Sequence, residues 1–276
     1  MPTQTLVRYN PSFLTLLSTT KQPTHHPIQG KVQKKQLSEV LFITTYPPRE
    51  CGIATYTQDL IRSISKGFGS SFNISICALS TDHEEHEYSD TIKFILNTDD
   101  DESYAQLAHD INYDNNISLV VLQHEFGLFD LQGAALTSML HKLNKPVSIV
   151  FHTVLPGPDT EFKKRVQSLA ATAESLIVMT QSSSNILVKD YIIKKSKINV
   201  INHGTHLIKH GDRENLKAKY GLIGKNVLST FGFLGTGKSI ETTLNAMPAI
   251  INHDPDTIFL IIGKTHPSTI KREGEF

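Results

Sequence analysis

The stretch from Asn226 to Ile240 reads NVLSTFGFLGTGKSI: an apolar run rich in β-forming residues, a glycine loop carrying one lysine, and the opening of an amphipathic helix. Glycines between a strand and a helix leave backbone N–H groups bare at the positive end of the helix dipole, which is chemistry for phosphate. Gly232, Gly237, Lys238 and Ser239 satisfy the G-x-x-x-x-G-K-[ST] pattern of a nucleotide-triphosphate loop letter for letter. Taken alone, the match favours an NTPase.

Other polar residues stand where open parallel sheets bind ligands, just after apolar runs. They are the PPRECGIATY loop with Gly52, the turn Gln123-His124-Glu125-Phe126-Gly127, the run end Phe151-His152-Thr153, the turn Met179-Thr180-Gln181-Ser182, and Asn202-His203-Gly204-Thr205-His206. One such end is ordinary, whereas five in one chain point to a single site. A lone histidine such as His152 is as readily a hydrogen-bonded structural residue as a catalytic one. Metal chemistry is not expected: His83 and His86 are three apart rather than four, and His124-Glu125 lacks the second histidine of H-E-x-x-H. Cys51 precedes a helix start without a recognisable His and Asn partner, so it reads as a turn residue. The dinucleotide fingerprint fails because Ile240 stands where the third glycine should be.

The elements that must position these residues alternate between strand and helix from Glu39 onward. Apolar runs at 39–45, 72–79, 91–96, 118–125, 146–153, 175–180 and 197–202 read as buried strands. Between them lie helical patterns, such as Ile53, Tyr56, Leu60, Ile61 and Ile64 on one face. Strands apolar along their whole length and separated by helices imply a parallel sheet covered on both sides. A polar stretch from Lys209 to Tyr220, with Gly221 as helix C-cap, leads to a second α/β unit: the strand from Asn226, a helix with Ile240, Leu244, Met247 and Ile251, and the strand 257–262. Pro248 is expected to kink or end that helix. Two strands and one crossover cannot bury both faces of a sheet, so the second unit reads as partial.

Length and charge set the outer limits. The 276 residues, 39% of them apolar, suffice for a sizeable core, and Lys plus Arg balances Asp plus Glu at 27 each. No global field therefore points to nucleic acid. The basic triplet Lys163, Lys164 and Arg165 is either a solvated helix face or a weak peripheral membrane contact. Two cysteines, no run of about 18 apolar residues and no signal-peptide core lead to the expectation of a soluble, cytoplasmic protein. Residues 1–37, with no acid, four prolines and five basic residues, read as a disordered leader.

The ordered set YPPRECGIATYTQDL, LQHEFGLF, FHTVLPGP, VMTQSSSNIL, INHGTH, STFGFLGTGKSIETTLNAMPAI and FLIIGKTHP resembles the retaining glycosyltransferases of family four, from about Val40 onward. The resemblance implies a GT-B fold of two Rossmann-like domains, here an acceptor-side domain over 38–207 and a partial nucleotide-sugar-binding domain over 208–276. It also implies transfer from a nucleotide-diphosphate sugar to a glycan or lipid-linked acceptor, with no cofactor and no obligatory metal. By the same resemblance, Gly52 sits by the donor phosphates and sugar, His152 contacts the reacting sugar as the catalytic histidine, and Glu125 with His124 lines the acceptor side. The Gly232 turn and Lys238 hold the diphosphate. Two departures stand out. Phe233 occupies the position where many members carry a phosphate-binding arginine, and the family's two glutamates eight positions apart fall beyond Phe276. The chain as given is therefore expected to be inactive or impaired. A non-catalytic sugar- or partner-binding protein and a P-loop NTPase remain as alternatives.

Overall fold

A computed structural model describes residues 37–69, 71–82, 86–88, 91–129 and 133–265 of the chain. The leader expected over 1–37 therefore lies outside the described residues, except for Leu37, and so do His83 and the end of FLIIGKTHP. The chain divides after His203 into two compact units.

The first unit carries seven strands: β1 (Glu39–Thr44), β2 (Asn73–Ser80), β3 (Ile92–Asn97), β4 (Ile117–His124), β5 (Val147–Phe151), β6 (Ser175–Val178) and β7 (Ile198–Val200). They pair in parallel in the order β3-β2-β1-β4-β5-β6-β7. Among the described residues five α-helices alternate with them: α1 (Gly52–Phe68), α2 (Asp101–Tyr113), α3 (Ala134–Lys142), α4 (Thr160–Thr172) and α5 (Gln181–Lys189). Both faces are covered, as continuous apolar strands demand. On one face Leu41, Ile43, Leu122, Ile149 and Phe151 pack with Tyr104, Leu107 and Ile111 of α2, Leu136 and Met139 of α3, and Val166 and Leu169 of α4. On the other, Val40, Phe42, Val121 and Val150 lie under Leu60, Ile61 and Ile64 of α1, the helical stripe read from the sequence. At the amino ends of the strands, Lys93 Nζ joins Glu39 Oε1 and Asp114 Oδ2, each at 2.6 Å. That pairing ties the edge strand β3 to the start of β1 and the end of α2.

The sheet order reverses direction at β1. After β1 the chain builds outward through β2 and β3, then returns to place β4 on the other flank of β1. The connections after β1 and β4 diverge there and open a crevice over the carboxyl ends of these strands.

The second unit holds α6 (Arg213–Lys219), β8 (Asn226–Phe231), α7 (Ile240–His253) and β9 (Thr257–Ile262), with β8 and β9 parallel and Asn226 paired with Thr257. Gly221 at φ 70° closes α6, where Leu222 N–H reaches Lys217 O at 2.7 Å, so the glycine acts as the expected C-cap. Pro248 does not end α7, which runs on to His253. Its ring lies on the exposed side, where the carbonyl that loses its partner can turn to water. Phe231 is 75% exposed, and Leu228, Leu244 and Ile262 are exposed as well, as a two-stranded unit implies.

Candidate functional site

Side chains alternate across a strand, so the two faces of the first sheet present different groups at its carboxyl ends. On the α1 face, the apolar rows Phe42, Val121 and Val150 continue two residues on as Thr44, Gln123 and His152. Gln123 is fully buried, and its Oε1 lies 2.7 Å from His152 Nε2. Thr44 Oγ1 donates to Thr45 O at 2.9 Å, so in the 2.8 Å contact with Thr57 Oγ1 it is Thr57 that donates. This buried hydroxyl pair fixes the first turns of α1 over the end of β1. It sets Tyr56 edge-on to His152, with ring centroids 5.1 Å apart at 87°, and against His203 at 4.8 Å. Burial, with His203 nearby, holds the His152 imidazole neutral, its pKa lowered to about 4. Burial also raises the Tyr56 phenol.

Gly52 opens α1. An added Cβ there would meet no atom within 4 Å, and its φ is not in the left-handed region. Nothing in the fold demands glycine at this position, which leaves open space in front of bare backbone. The N-cap residue Cys51 supplies no side-chain hydrogen bond to the helix.

The opposite face carries His124. Its ring is 2% exposed, stacked on Phe129 at 5.5 Å and edge-on to Phe126 and Phe151 at 4.8 and 5.2 Å. Its Nδ1 is buried with no hydrogen-bond partner among the described residues. Burial first, then His152 and Arg165, lower its pKa to about 3. The structure thus separates His124 from Gln123 and His152, although the three are close in sequence or strand register. Glu125, the next residue, turns into a short 3-10 turn over Phe126–Leu128. Its Oε2 accepts from Thr153 Oγ1 at 2.5 Å and its Oε1 from Phe126 N at 3.1 Å, so its carboxylate bridges the ends of β4 and β5. Beyond it, Arg165 lies 5.3 Å from the Phe162 ring and Lys164 pairs with Glu161 at 3.0 Å. Gly133, Thr137, Glu161, Lys164 and Arg165 line a hollow of 520 Å³ between the first turns of α3 and α4.

In the second unit Gly232 adopts φ 116°, and a Cβ there would stand 3.3 Å from Lys238 Nζ. The lysine amine is folded over the glycine turn. Gly263, at φ 150°, packs so closely that a Cβ would fall 1.8 Å from Gly232 O. Lys238 closes a 3-10 turn over Thr236–Lys238, with Lys238 N–H on Gly235 O at 2.9 Å, and Ser239 at φ 48° gives α7 no side-chain cap.

A contrast among the helix starts sets these places apart. Asp100, Asp159, Thr180 and Asp212 cap α2, α4, α5 and α6 through side-chain oxygens. α1, α3 and α7 have no such cap, so Gly52 and the Lys238 loop each precede open N–H groups. A hollow of 570 Å³ lies at the other end of the sheet between Gln167, Glu174, Ile192 and Lys197, away from all the residues singled out in the sequence. Among the described residues no group of three or more His, Cys, Asp and Glu side chains could hold a metal ion, and no helix is long and apolar enough to cross a membrane.

Sequence reading named Gly52, Glu125, His124, His152, Gly232 and Lys238. The structure brings His152 and Glu125 to neighbouring strand ends, sets His124 beneath them, and brings Lys238 to Gly232. Gln123 and Tyr56 were named only within the polar turn, the PPRECGIATY loop and the helical stripe of α1, without a role of their own, and Thr57 was not named. Strand alternation was the available signal for Gln123, since it lies two residues after buried Val121 just as His152 lies two after Val150.

The parallel sheet, its reversal at β1 and the second β-α-β unit define an α/β, GT-B-like fold with Rossmann-like parallel strands. The S. aureus MnaA–UDP co-structure shares it with a TM-score of 0.50 at 14% identity, over 87% of this chain and 67% of that one. The chain also matches an alpha-glucosyltransferase in complex with UDP and a 13-mer DNA containing a central A:G mismatch, with a TM-score of 0.47 and 8% identity over 87% of this chain. TarM matches with a TM-score of 0.42 and 14% identity over 62% of this chain and 32% of its own. The chain spans 60% of the length of that alpha-glucosyltransferase. No family model and no curated protein matches it.

Proposed function

We propose that the chain is the acceptor-side domain and the first part of the donor domain of a retaining glycosyltransferase that uses a nucleotide-diphosphate sugar without an obligatory metal. The observation that carries the reading is the coincidence of glycine, open helix start and polar side chains at the carboxyl ends of the parallel strands. In the first unit these are Gly52, the uncapped α1, and His152 held by Gln123. In the second they are Gly232, the uncapped α7, and Lys238 over the turn.

In this reading the Gly232 turn and Lys238 take the donor diphosphate, and the lysine offsets charge building on the leaving group. His152 contacts the reacting sugar and Gly52 lets backbone approach it. Glu125 faces the acceptor, a glycan or lipid-linked sugar, with His124 supporting it from below. No observation favours the NTPase reading: β9 ends at Ile262 and is followed by Gly263, where such an enzyme needs a metal-binding acid.

Calorimetric titration with UDP-glucose, GDP-mannose and ATP tests the proposal. A nucleotide sugar should bind, and Lys238→Ala should weaken it about tenfold, the worth of one charge-assisted contact of about 1.4 kcal/mol. ATP binding that depends on Lys238, with no nucleotide-sugar binding, would replace the transferase by the NTPase.

A further inference from the structure

We propose that Gln123 is a positioning residue that holds His152 with its proton on Nε2 and so presents Nδ1 as a bare acceptor for a ligand hydroxyl. That the hydroxyl belongs to a sugar rests on the transferase reading, whereas the tautomer rests on the Gln123 carbonyl oxygen, rather than its amide nitrogen, facing the ring.

A carbonyl oxygen offers only lone pairs, so with Gln123 Oε1 at 2.7 Å the proton of a neutral His152 sits on Nε2. The amide nitrogen of Gln123 is buried without a hydrogen-bond partner among the described residues, so this bond is the one that orients the amide. Backbone geometry holds both residues in place: Gln123 is in register with Val150, and His152 N–H donates to His124 O at 3.0 Å. The Tyr56 ring, edge-on, fixes the plane of the imidazole. Nδ1 of His152 has no hydrogen-bond partner among the described residues.

The choice of an amide rather than a carboxylate has a chemical consequence. A carboxylate at position 123 would favour the imidazolium, whose Nδ1 donates and attracts anions. Against Gln123 the ring stays neutral, and its Nδ1 lone pair welcomes O–H while repelling phosphate or carboxylate oxygen. His152 is thereby set to select a hydroxyl over an anionic group. The titratable groups set against it are Tyr56 from α1, His203 after β7 and, from the other face of β4, His124; the Glu125 carboxylate at the neighbouring strand end is engaged by Thr153 Oγ1 and Phe126 N–H.

Long-range proton–nitrogen NMR spectra of the full chain, labelled with nitrogen-15 histidine and recorded against pH, test this without any ligand. The wild-type His152 should show the Nε2–H tautomer at neutral pH. Gln123→Glu should keep that tautomer and raise the His152 titration midpoint by about one unit or more. Gln123→Leu should leave a mixture of tautomers, with His253 in the second unit unshifted as a folding control. A purely structural Gln123 would lower thermal stability in both variants and move neither tautomer nor midpoint. Should Gln123→Leu not fold, the wild-type spectrum and Gln123→Glu decide the matter. An Nδ1–H tautomer in the wild type, or an unshifted midpoint in Gln123→Glu, overturns the proposal. Absent nucleotide-sugar binding alongside the expected tautomer would remove the transferase reading and leave this one standing.

Discussion

At the scale of single residues, the histidines tie stability to pH. Both His124 and His152 have folded pKa values, about 3 and about 4, below the ordinary value of 6.5. As pH falls below about 6.5, the unfolded chain takes up their protons while the folded chain does not. Stability present above that pH is therefore lost as the pH falls toward 3, at about 1.4 kcal/mol per pH unit for buried His124. Urea unfolding should show His124→Phe within about 1 kcal/mol of wild type at pH 8 and clearly more stable than wild type at pH 5. An unchanged difference between the two pH values would refute the assignment. Glycines give the second contrast. Gly52→Ala, with open space for its Cβ, should leave stability within about 0.5 kcal/mol while weakening nucleotide-sugar binding. Gly263→Ala, with its Cβ driven into Gly232 O, should cost the second unit at least about 2 kcal/mol. The glycine loop and its lysine were legible as a phosphate site because their chemistry is local. The Gln123–His152 pair was not, since 29 residues separate its members and only strand pairing joins them. Reading Gln123, His124 and Glu125 as one turn also concealed that His124 faces the opposite side of the sheet.

At the scale of elements, the position of α1 decides whether Gly52, Tyr56 and His152 act together. The helix is pinned by the Thr57–Thr44 hydroxyl bond and by the packing of Leu60, Ile61 and Ile64 on the sheet. The apolar contacts are tolerant of sliding, whereas the hydroxyl pair is not. Thr57→Val removes a buried donor at almost constant volume and should cost about 1–2 kcal/mol by chemical denaturation. It should also weaken nucleotide-sugar binding without touching the ligand; wild-type stability in this variant would show that apolar packing alone sets the helix. The strands themselves were readable from their apolar runs to within a few residues at their ends, and α1 from its helical stripe. Pro248 does not end α7 because it sits on an exposed stretch of the helix, where water can take the carbonyl that its missing N–H leaves unpaired. The apolar spacing of α7 did not show that Leu244 and Ile251, on the same side of the helix as Pro248, are exposed in this unit.

At the scale of the whole molecule, the two units differ in how much apolar surface they bury. The seven-stranded sheet is covered on both faces, while β8 is exposed along nearly its whole length. Alternation of strands and helices was enough to predict a covered parallel sheet. Its order was not, because pairing β4 beside β1 is a non-local event that no local pattern records. That order creates the crevice on which the functional account depends. The most direct test of that account is hydrogen exchange of the full chain with and without a saturating nucleotide sugar. Slower exchange should appear at residues 51–57, 123–126, 152–153 and 232–240, with no change around Glu174, Ile192 and Lys197. Protection confined to the hollow at the amino ends of the strands, or no protection at 51–57 and 232–240 when ligand is bound, would contradict it.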